Sequence, residues 1–297
     1  MDSSFKSGFI AIVGPPNVGK STFINAVIGE KVSIVSPRPQ TTRNRIVGIK
    51  TLSQGQLIFV DTPGTHRTRK RFNRQLVEIA RSSFRESDVI LVMVEASKPH
   101  IDQEFDYLKE ELAQTKKPVL LLINKVDLVK KEVLLPLIDA YSGRYHFQEI
   151  FPVSSLSGFG VNGVEQSLLD YLPEGPRYFP ENMYTDLPER FLAGEIIRER
   201  IFFLLQKEVP YSISVEVNQF REGDSGGVFI RASIWVEKNS QKGIIIGKQG
   251  RMLKEIGKRS RKEIERFLNR KVYLELWVTV KRNWTLNDAA IRQSLAL

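Results

Sequence analysis

Through the first 170 residues, short unbroken apolar runs alternate with helix-length segments: Phe9–Val13, Leu57–Val60, Val89–Val94, Pro118–Ile123 and Glu149–Val153. Unbroken runs mark strands covered on both faces, and the segments between them supply right-handed crossovers. The pattern therefore predicts an α/β fold, a doubly wound parallel sheet whose ligands sit at the C-terminal strand ends. The pattern changes after Leu172, where Pro173-Glu174-Gly175-Pro176 and Pro180 break it. Between Glu189 and Gln206, Ala193, Ile197, Ile201 and Leu204 recur at helical spacing. Tyr211–Val217 and Val228–Val236 then alternate with period two around Gly223–Gly227, which predicts an antiparallel hairpin. A basic helical stretch to Leu268 and a strand over Val272–Val280 complete an α-β-β-α-α-β order. The expected division is a nucleotide-binding domain over 1–172, a linker over 173–187, a smaller α+β domain over 188–282 and a tail over 283–297.

Charge sharpens this division. The chain of 297 residues carries a formal charge of +10, and residues 238–297 hold 15 Lys/Arg against 5 Asp/Glu, leaving 29 of each sign in residues 1–237. An excess confined to the last sixty residues is either a face that serves solubility or, the favoured reading, a surface for a polyanion. With no Cys, disulfides, thiolate metal sites and a Cys nucleophile are excluded. A short polar start and the lack of an 18-residue apolar run give the expectation of a soluble, cytoplasmic protein.

The chemistry is concentrated where the strands are expected to end. Gly14-Pro15-Pro16-Asn17-Val18-Gly19-Lys20-Ser21 fits G-x-x-x-x-G-K-[ST] between a strand and the helix-like stretch from Thr22 to Ile28. Backbone N–H groups of such a loop approach phosphates, Lys20 reaches the β/γ oxygens, and the Ser21 hydroxyl is offered to Mg²⁺. After the next strand, Asp61-Thr62-Pro63-Gly64 supplies a carboxylate for Mg²⁺ through a water and a Gly64 N–H for the γ-phosphate. Asn124-Lys125-Val126-Asp127 follows another strand. The Asp127 carboxylate can accept from N1–H and the exocyclic amine of guanine, which adenine cannot offer together. Taken alone, this tetrapeptide also fits an ordinary helix cap. Ser154-Ser155-Leu156 is a weak signal that gains meaning only from its place after the following strand, as a source of backbone contacts to the base.

Val32–Asn44 has little helical pattern and reads as a mobile loop. A Thr hydroxyl from it can join the Mg²⁺ shell when the γ-phosphate is present, and Thr42 is favoured over Thr41. Arg67 to Arg71, beyond Gly64, are either a solvated face or a further RNA or partner contact.

On these residues the first domain resembles the translation-factor-class small GTPases. Over nearly its whole length, the chain resembles the Era family of ribosome-assembly GTPases with a C-terminal KH domain. The carriers are Gly14–Ser21, Pro39-Gln40-Thr41-Thr42-Arg43, Asp61–Gly64 with His66, Asn124–Asp127 and Ser154–Gly160. The resemblance implies GTP hydrolysis to GDP with Mg²⁺, with Ser21, Thr42 and Asp61 at the metal. It makes Asn17 a candidate ligand for K⁺, and it places Val18, Gly19 and Thr22 with Lys20 around the phosphates. The pattern departs from familiar ones at Thr65, where Ras-like enzymes carry a water-orienting Gln. Slow intrinsic hydrolysis through positioning by Lys20, Thr42 and Gly64 is therefore the expectation, with His66 as general base the sharper alternative.

In the second domain, Gly247-Lys248-Gln249-Gly250 is the expected GXXG loop of a type II KH fold, clamping the backbone of single-stranded RNA. Lys242, Arg251, Lys254 and Lys258 surround it, and Ile244–Ile246 are either an apolar floor for the bases or core. The resemblance implies 16S-type ribosomal RNA near its 3′ end, and the 30S subunit, as partners of a monomer; a peripheral contact at the inner membrane stays open. A GTPase acting in RNA modification and a constitutive RNA chaperone are the competing readings, and the first has no further catalytic constellation to support it.

Overall fold

The computed structural model describes residues 5–36, 42–61, 83–98, 103–205, 209–223 and 226–294. The calls on Thr41, Gly64, Thr65, His66 and Arg67–Arg71 lie outside these residues. The chain forms two compact units, one containing Thr42–Asp186 with the residues up to Val35, the other containing Leu187–Leu297.

In the first unit, six strands line up as β2-β3-β1-β4-β5-β6: β1 Lys6–Val13, β2 Ile46–Leu52, β3 Gly55–Asp61, β4 Val89–Glu95, β5 Val119–Asn124 and β6 Glu149–Pro152. All neighbours are parallel except β2, which runs antiparallel to β3 at the edge. The five strands read from the sequence are parallel as expected, and β2, which the pattern did not show, adds an antiparallel edge that makes the sheet mixed. β2 escaped the sequence pattern because Gly48, Lys50 and Thr51 interrupt its apolar residues, which an edge strand tolerates. The runs Ile10–Val13, Leu57–Val60, Val89–Val94 and Val119–Ile123 are unbroken because successive residues feed two cores. Ile10, Ile12, Leu57, Phe59, Leu91 and Met93 pack with helices α1 (Lys20–Ile28) and α4 (Val161–Tyr171). Val13, Ile90, Val92, Leu121 and Ile123 pack with α2 (Gln103–Leu112) and α3 (Leu134–Ser142).

Residues 173–186, expected as a linker, instead form a strap on the first unit. The Gln56 side chain is fully buried in β3, where an unpaired amide is costly, and it grips Phe179 at both ends: Nε2 donates to the carbonyl at 2.9 Å and Oε1 accepts from N–H at 3.0 Å. Pro173 and Tyr184 accept from the N–H groups of Ser7 and Ile49. Proline and glycine here shape an ordered path rather than a tether.

The second unit has the order α5 (Glu189–Leu204), β7 (Ser214–Glu222), β8 (Val228–Val236), α6 (Asn239–Ile246), α7 (Arg251–Leu268) and β9 (Val272–Val280). β8 is central, antiparallel to β7 and parallel to β9. Its Ile230, Ala232 and Ile234 are fully buried with Ile197 and Ile201 of α5 and Ile256 and Ile264 of α7, so one sheet face carries the core. The C-terminal segment is docked on this unit. Trp284 is 1% exposed, meets Trp235 edge to face at 6.3 Å, and its Nε1 donates to the Ser212 carbonyl at 3.0 Å. Helix α8 (Asp288–Ser294) follows, with Ile291 fully buried. Trp284→Ala removes a buried ring and leaves a cavity, a loss of roughly 3–5 kcal/mol. Calorimetry of the full chain is expected to show the second unit melting earlier, while the transition raised by GDP stays in place.

Candidate functional site

The phosphate-binding loop joins β1 to α1, and its backbone explains its glycines. Gly14 has φ +147°, and a Cβ there would lie 2.2 Å from the Met93 carbonyl oxygen. Gly19 has φ +110°, and a Cβ there would lie 2.2 Å from Asn124 Nδ2. Asn17 is exposed and left-handed at φ 63°, while Val18 is buried. Lys20 opens α1, is 7% exposed, and donates from Nζ to the carbonyls of Gly14 and Pro15, both at 2.8 Å. Its ammonium is thus held by its own loop, in reach of the cradle it lines. Thr22 is half-buried on the same first turn.

Ser21, Thr42 and Asp61 come together as the sequence suggested. Ser21 Oγ donates to Asp61 Oδ2 at 2.7 Å and lies 2.9 Å from Thr42 Oγ1, which itself donates to the same carboxylate oxygen at 3.3 Å. Ser33 adds a third hydroxyl, donating to Oδ2 at 2.7 Å. Asp61 is fully buried, and its other oxygen, Oδ1, has no hydrogen-bond partner among the described residues. Burial pushes the carboxyl above the ordinary range, against the hydroxyl hydrogen bonds and the charge of Lys20. Two hydroxyls, one carboxylate and an orphaned buried oxygen fit a hard, oxygen-seeking divalent cation that completes its shell with water and phosphate, as Mg²⁺ does. The expected mobile loop is pinned at both ends: Val32, Ser33 and Ile34 are buried, and so are Thr42, Arg43 and Asn44.

The base-side loops meet at Asn124. Its Nδ2 donates to the Val18 carbonyl at 2.8 Å, and its Oδ1 accepts from the N–H and the hydroxyl of Ser155, both at 2.9 Å. One buried amide thus staples three loops. Lys125 is left-handed at φ 65° and pairs with Glu95 at 3.0 Å. Burial works to raise the Glu95 carboxyl, but the Ser97 hydroxyl and Lys125 outweigh it and bring it below its ordinary value. Asp127 lies in a tight turn over Val126–Leu128 with its side chain exposed. Ser154 is buried, and Leu156 stands 84% exposed.

In the second unit, the loop between α6 and α7 has three left-handed residues: Gly247 (φ 70°), Gln249 (φ 52°) and Gly250 (φ 75°). This reversal carries the chain from the end of one helix directly into the next, and Lys248 and Gln249 are exposed on it. Arg251, Lys254 and Lys258 lie on the exposed face of α7, opposite buried Ile256, Ser260 and Ile264. Lys242 is half-buried on α6. Ile245 belongs to the core, whereas Ile244 is 49% exposed beside the loop.

Two family signatures match the chain: residues 9–125, which take in the phosphate-binding loop, Thr42, Asp61 and Asn124, match the 50S ribosome-binding GTPases, and residues 208–285 match the KH domain. The chain is 51% identical over 292 residues to a GTPase Era of Geotalea uraniireducens and 50% identical to that of Geotalea daltonii, each comparison spanning 98% of both chains. This chain belongs to the Era GTPase family. As an Era-family member it is a GTPase, with a mixed α/β GTPase domain and a C-terminal KH domain. Two solved Era structures superpose on it. One, in complex with MgGDPNP and nucleotides 1506–1542 of 16S ribosomal RNA, has a TM-score of 0.94 at 43% identity over 98% of both chains. The other is a variant from Aquifex aeolicus bound to GDP and AlF4⁻, with a TM-score of 0.93 at 42% identity over 98% of this chain and 99% of that one. The motif reading found the Era-family loops but not Ser33, Asn25 or Glu95, because their partners are set by the path of the folded chain.

Proposed function

We propose that this Era-family GTPase is a GTP-controlled switch that binds single-stranded 16S-type ribosomal RNA near its 3′ end through its KH domain and assists assembly of the 30S subunit. The observation that carries this reading is the likeness, over 98% of the chain, to an Era bound at once to MgGDPNP and to 16S RNA. The protein acts as a monomer in the cytoplasm, with any membrane contact peripheral. Among the described residues, no helix is long and apolar enough to cross a membrane.

The residues divide the work. Backbone N–H groups of Val18 and Gly19 face the phosphates, and Lys20 exchanges the carbonyls of Gly14 and Pro15 for β/γ oxygens. Ser21, Thr42 and Asp61 hold Mg²⁺, which when bound offsets phosphate charge; Asn17 is the protein ligand for K⁺. Asp127 reads guanine, and the turn of Ser154, Ser155 and Leu156 closes the base site. Asn124 keeps these loops in register. With Thr65 in place of a water-orienting Gln, hydrolysis rests on positioning and electrostatics, and a partner that orders the loops accelerates it. In the KH domain, Gly247–Gly250 clamps the RNA backbone, Ile244 supports a base, and Lys242, Lys248, Arg251, Lys254 and Lys258 meet phosphates. The functional boundary falls at Asp186/Leu187, with the strap serving the GTPase half.

Single-turnover GTP hydrolysis tests the reading. RNA from the 16S 3′ end is expected to accelerate it at least several-fold, more so in K⁺ than in Na⁺. Equal rates with and without RNA contradict the coupling, and equal rates in the two salts contradict the role of Asn17.

A further inference from the structure

We propose that Ser33 is a positioning residue for the metal-binding carboxylate of Asp61. The proposal deepens the proposed function and rests on its assignment of Asp61 to Mg²⁺. Ser33 lies five residues beyond α1, is 1% exposed, and donates its hydroxyl to Asp61 Oδ2 at 2.7 Å. Its own main chain is held by a single side chain of α1. Asn25 Nδ2 donates to the Ser33 carbonyl at 2.8 Å, while Asn25 Oδ1 accepts from the N–H groups of Val32 and Ser33, both at 3.0 Å. With carbonyl and N–H both fixed to one helix, the direction of the Ser33 hydroxyl is set by the GTPase scaffold before any ligand arrives.

The carboxylate needs such a holder. The terminal torsion of Asp is broad, so the side chain alone does not decide which oxygen faces which neighbour. Ser21 and Thr42 also donate to Oδ2, but each of these hydroxyls would have to offer a lone pair to the cation as well. Ser33 stands outside that set, so its hydroxyl is free to serve the carboxylate alone. By holding Oδ2 it fixes the rotation of the carboxylate, and with it the direction of buried Oδ1, which has no hydrogen-bond partner among the described residues. Hydrogen bonds of this outer kind are typically worth about 10–100-fold in metal affinity.

The test is the Mg²⁺ dependence of GDP release, followed with a fluorescent GDP across a range of free Mg²⁺ and in EDTA. Ser33→Ala is expected to raise the Mg²⁺ concentration that half-slows release by about 10–100-fold. Its release rate in EDTA and its thermal midpoint are expected to stay at wild-type values, and Ser33→Thr to restore the Mg²⁺ dependence. An unchanged half-point in Ser33→Ala overturns the proposal. So does faster release by the same factor with and without Mg²⁺, which assigns Ser33 to general packing. A wild-type protein whose GDP release ignores Mg²⁺ overturns the assignment of Asp61 itself, a result distinguishable because it appears before any substitution.

Discussion

Asp127→Asn is expected to lose GDP and gain xanthosine diphosphate. The Asp127 carboxylate is an acceptor only, matched to two donors of guanine, N1–H and the exocyclic amine. Hydrogen bonds to a charged acceptor contribute about 1.5–3 kcal/mol each, so removing the match costs about 3–6 kcal/mol, or roughly 10²–10⁴ in affinity. Asn offers one acceptor and one donor. Xanthine keeps N1–H but carries a carbonyl where guanine has its amine, and the new pair is complementary. Asp127 is exposed in a short turn after β5, so the substitution leaves the packing untouched. Titration calorimetry with both diphosphates reads the exchange. Weak binding of both would mean that Asp127 supports the loop rather than reads the base, and unchanged GDP binding would remove it from the site.

Gly250→Asp is expected to abolish RNA binding while GDP affinity stays at its wild-type value. Gly250 has φ +75° with nothing within 4 Å of a Cβ, and Asp is among the residues that tolerate the left-handed region, so the strain is small. The new carboxylate would stand between Lys248 and Arg251, where the RNA backbone must approach closely. Repulsion of the RNA phosphates by the new charge predicts at least a 100-fold weaker complex, about 2.7 kcal/mol, with a shallower salt dependence. Gly247 is the poorer place for this experiment. A Cβ there would sit 2.6 Å from Met252 Cβ, so a loss of binding would mix a clash within the loop with repulsion of the ligand. Gly250→Asn, equal in shape and uncharged, is expected to retain most of the affinity. If Gly250→Asp binds RNA as the wild type does, the loop is not the clamp.

These contrasts follow the limits of what the chain reveals before it folds. β1, β3, β4 and β5 are legible because each is buried on both faces and reads as one apolar run. The phosphate-binding loop is legible because Gly14 and Gly19 stand where no side chain fits, at contacts of 2.2 Å. Ser21, Thr42 and Asp61 were placed together by motif, and the fold brings them within 3.3 Å. Ser33 was not placed, since nothing in Lys31-Val32-Ser33-Ile34 announces a hydroxyl aimed at a residue 28 positions away. Breakers at Pro173 and Pro176 argued for a tether, and only the buried Gln56, which needed partners for its amide, shows why the stretch is anchored. Ile244–Ile246 read as floor or core; folding splits them, with Ile245 inside and Ile244 half exposed.

The proposed switch requires that the nucleotide state of the GTPase unit set the affinity of the KH unit for RNA. The affinity of a 16S 3′-end fragment, measured at fixed salt with the protein loaded with GDPNP and then with GDP, addresses it directly. Binding at least tenfold tighter with GDPNP is expected, about 1.4 kcal/mol of coupling. Equal affinities in the two states would contradict it.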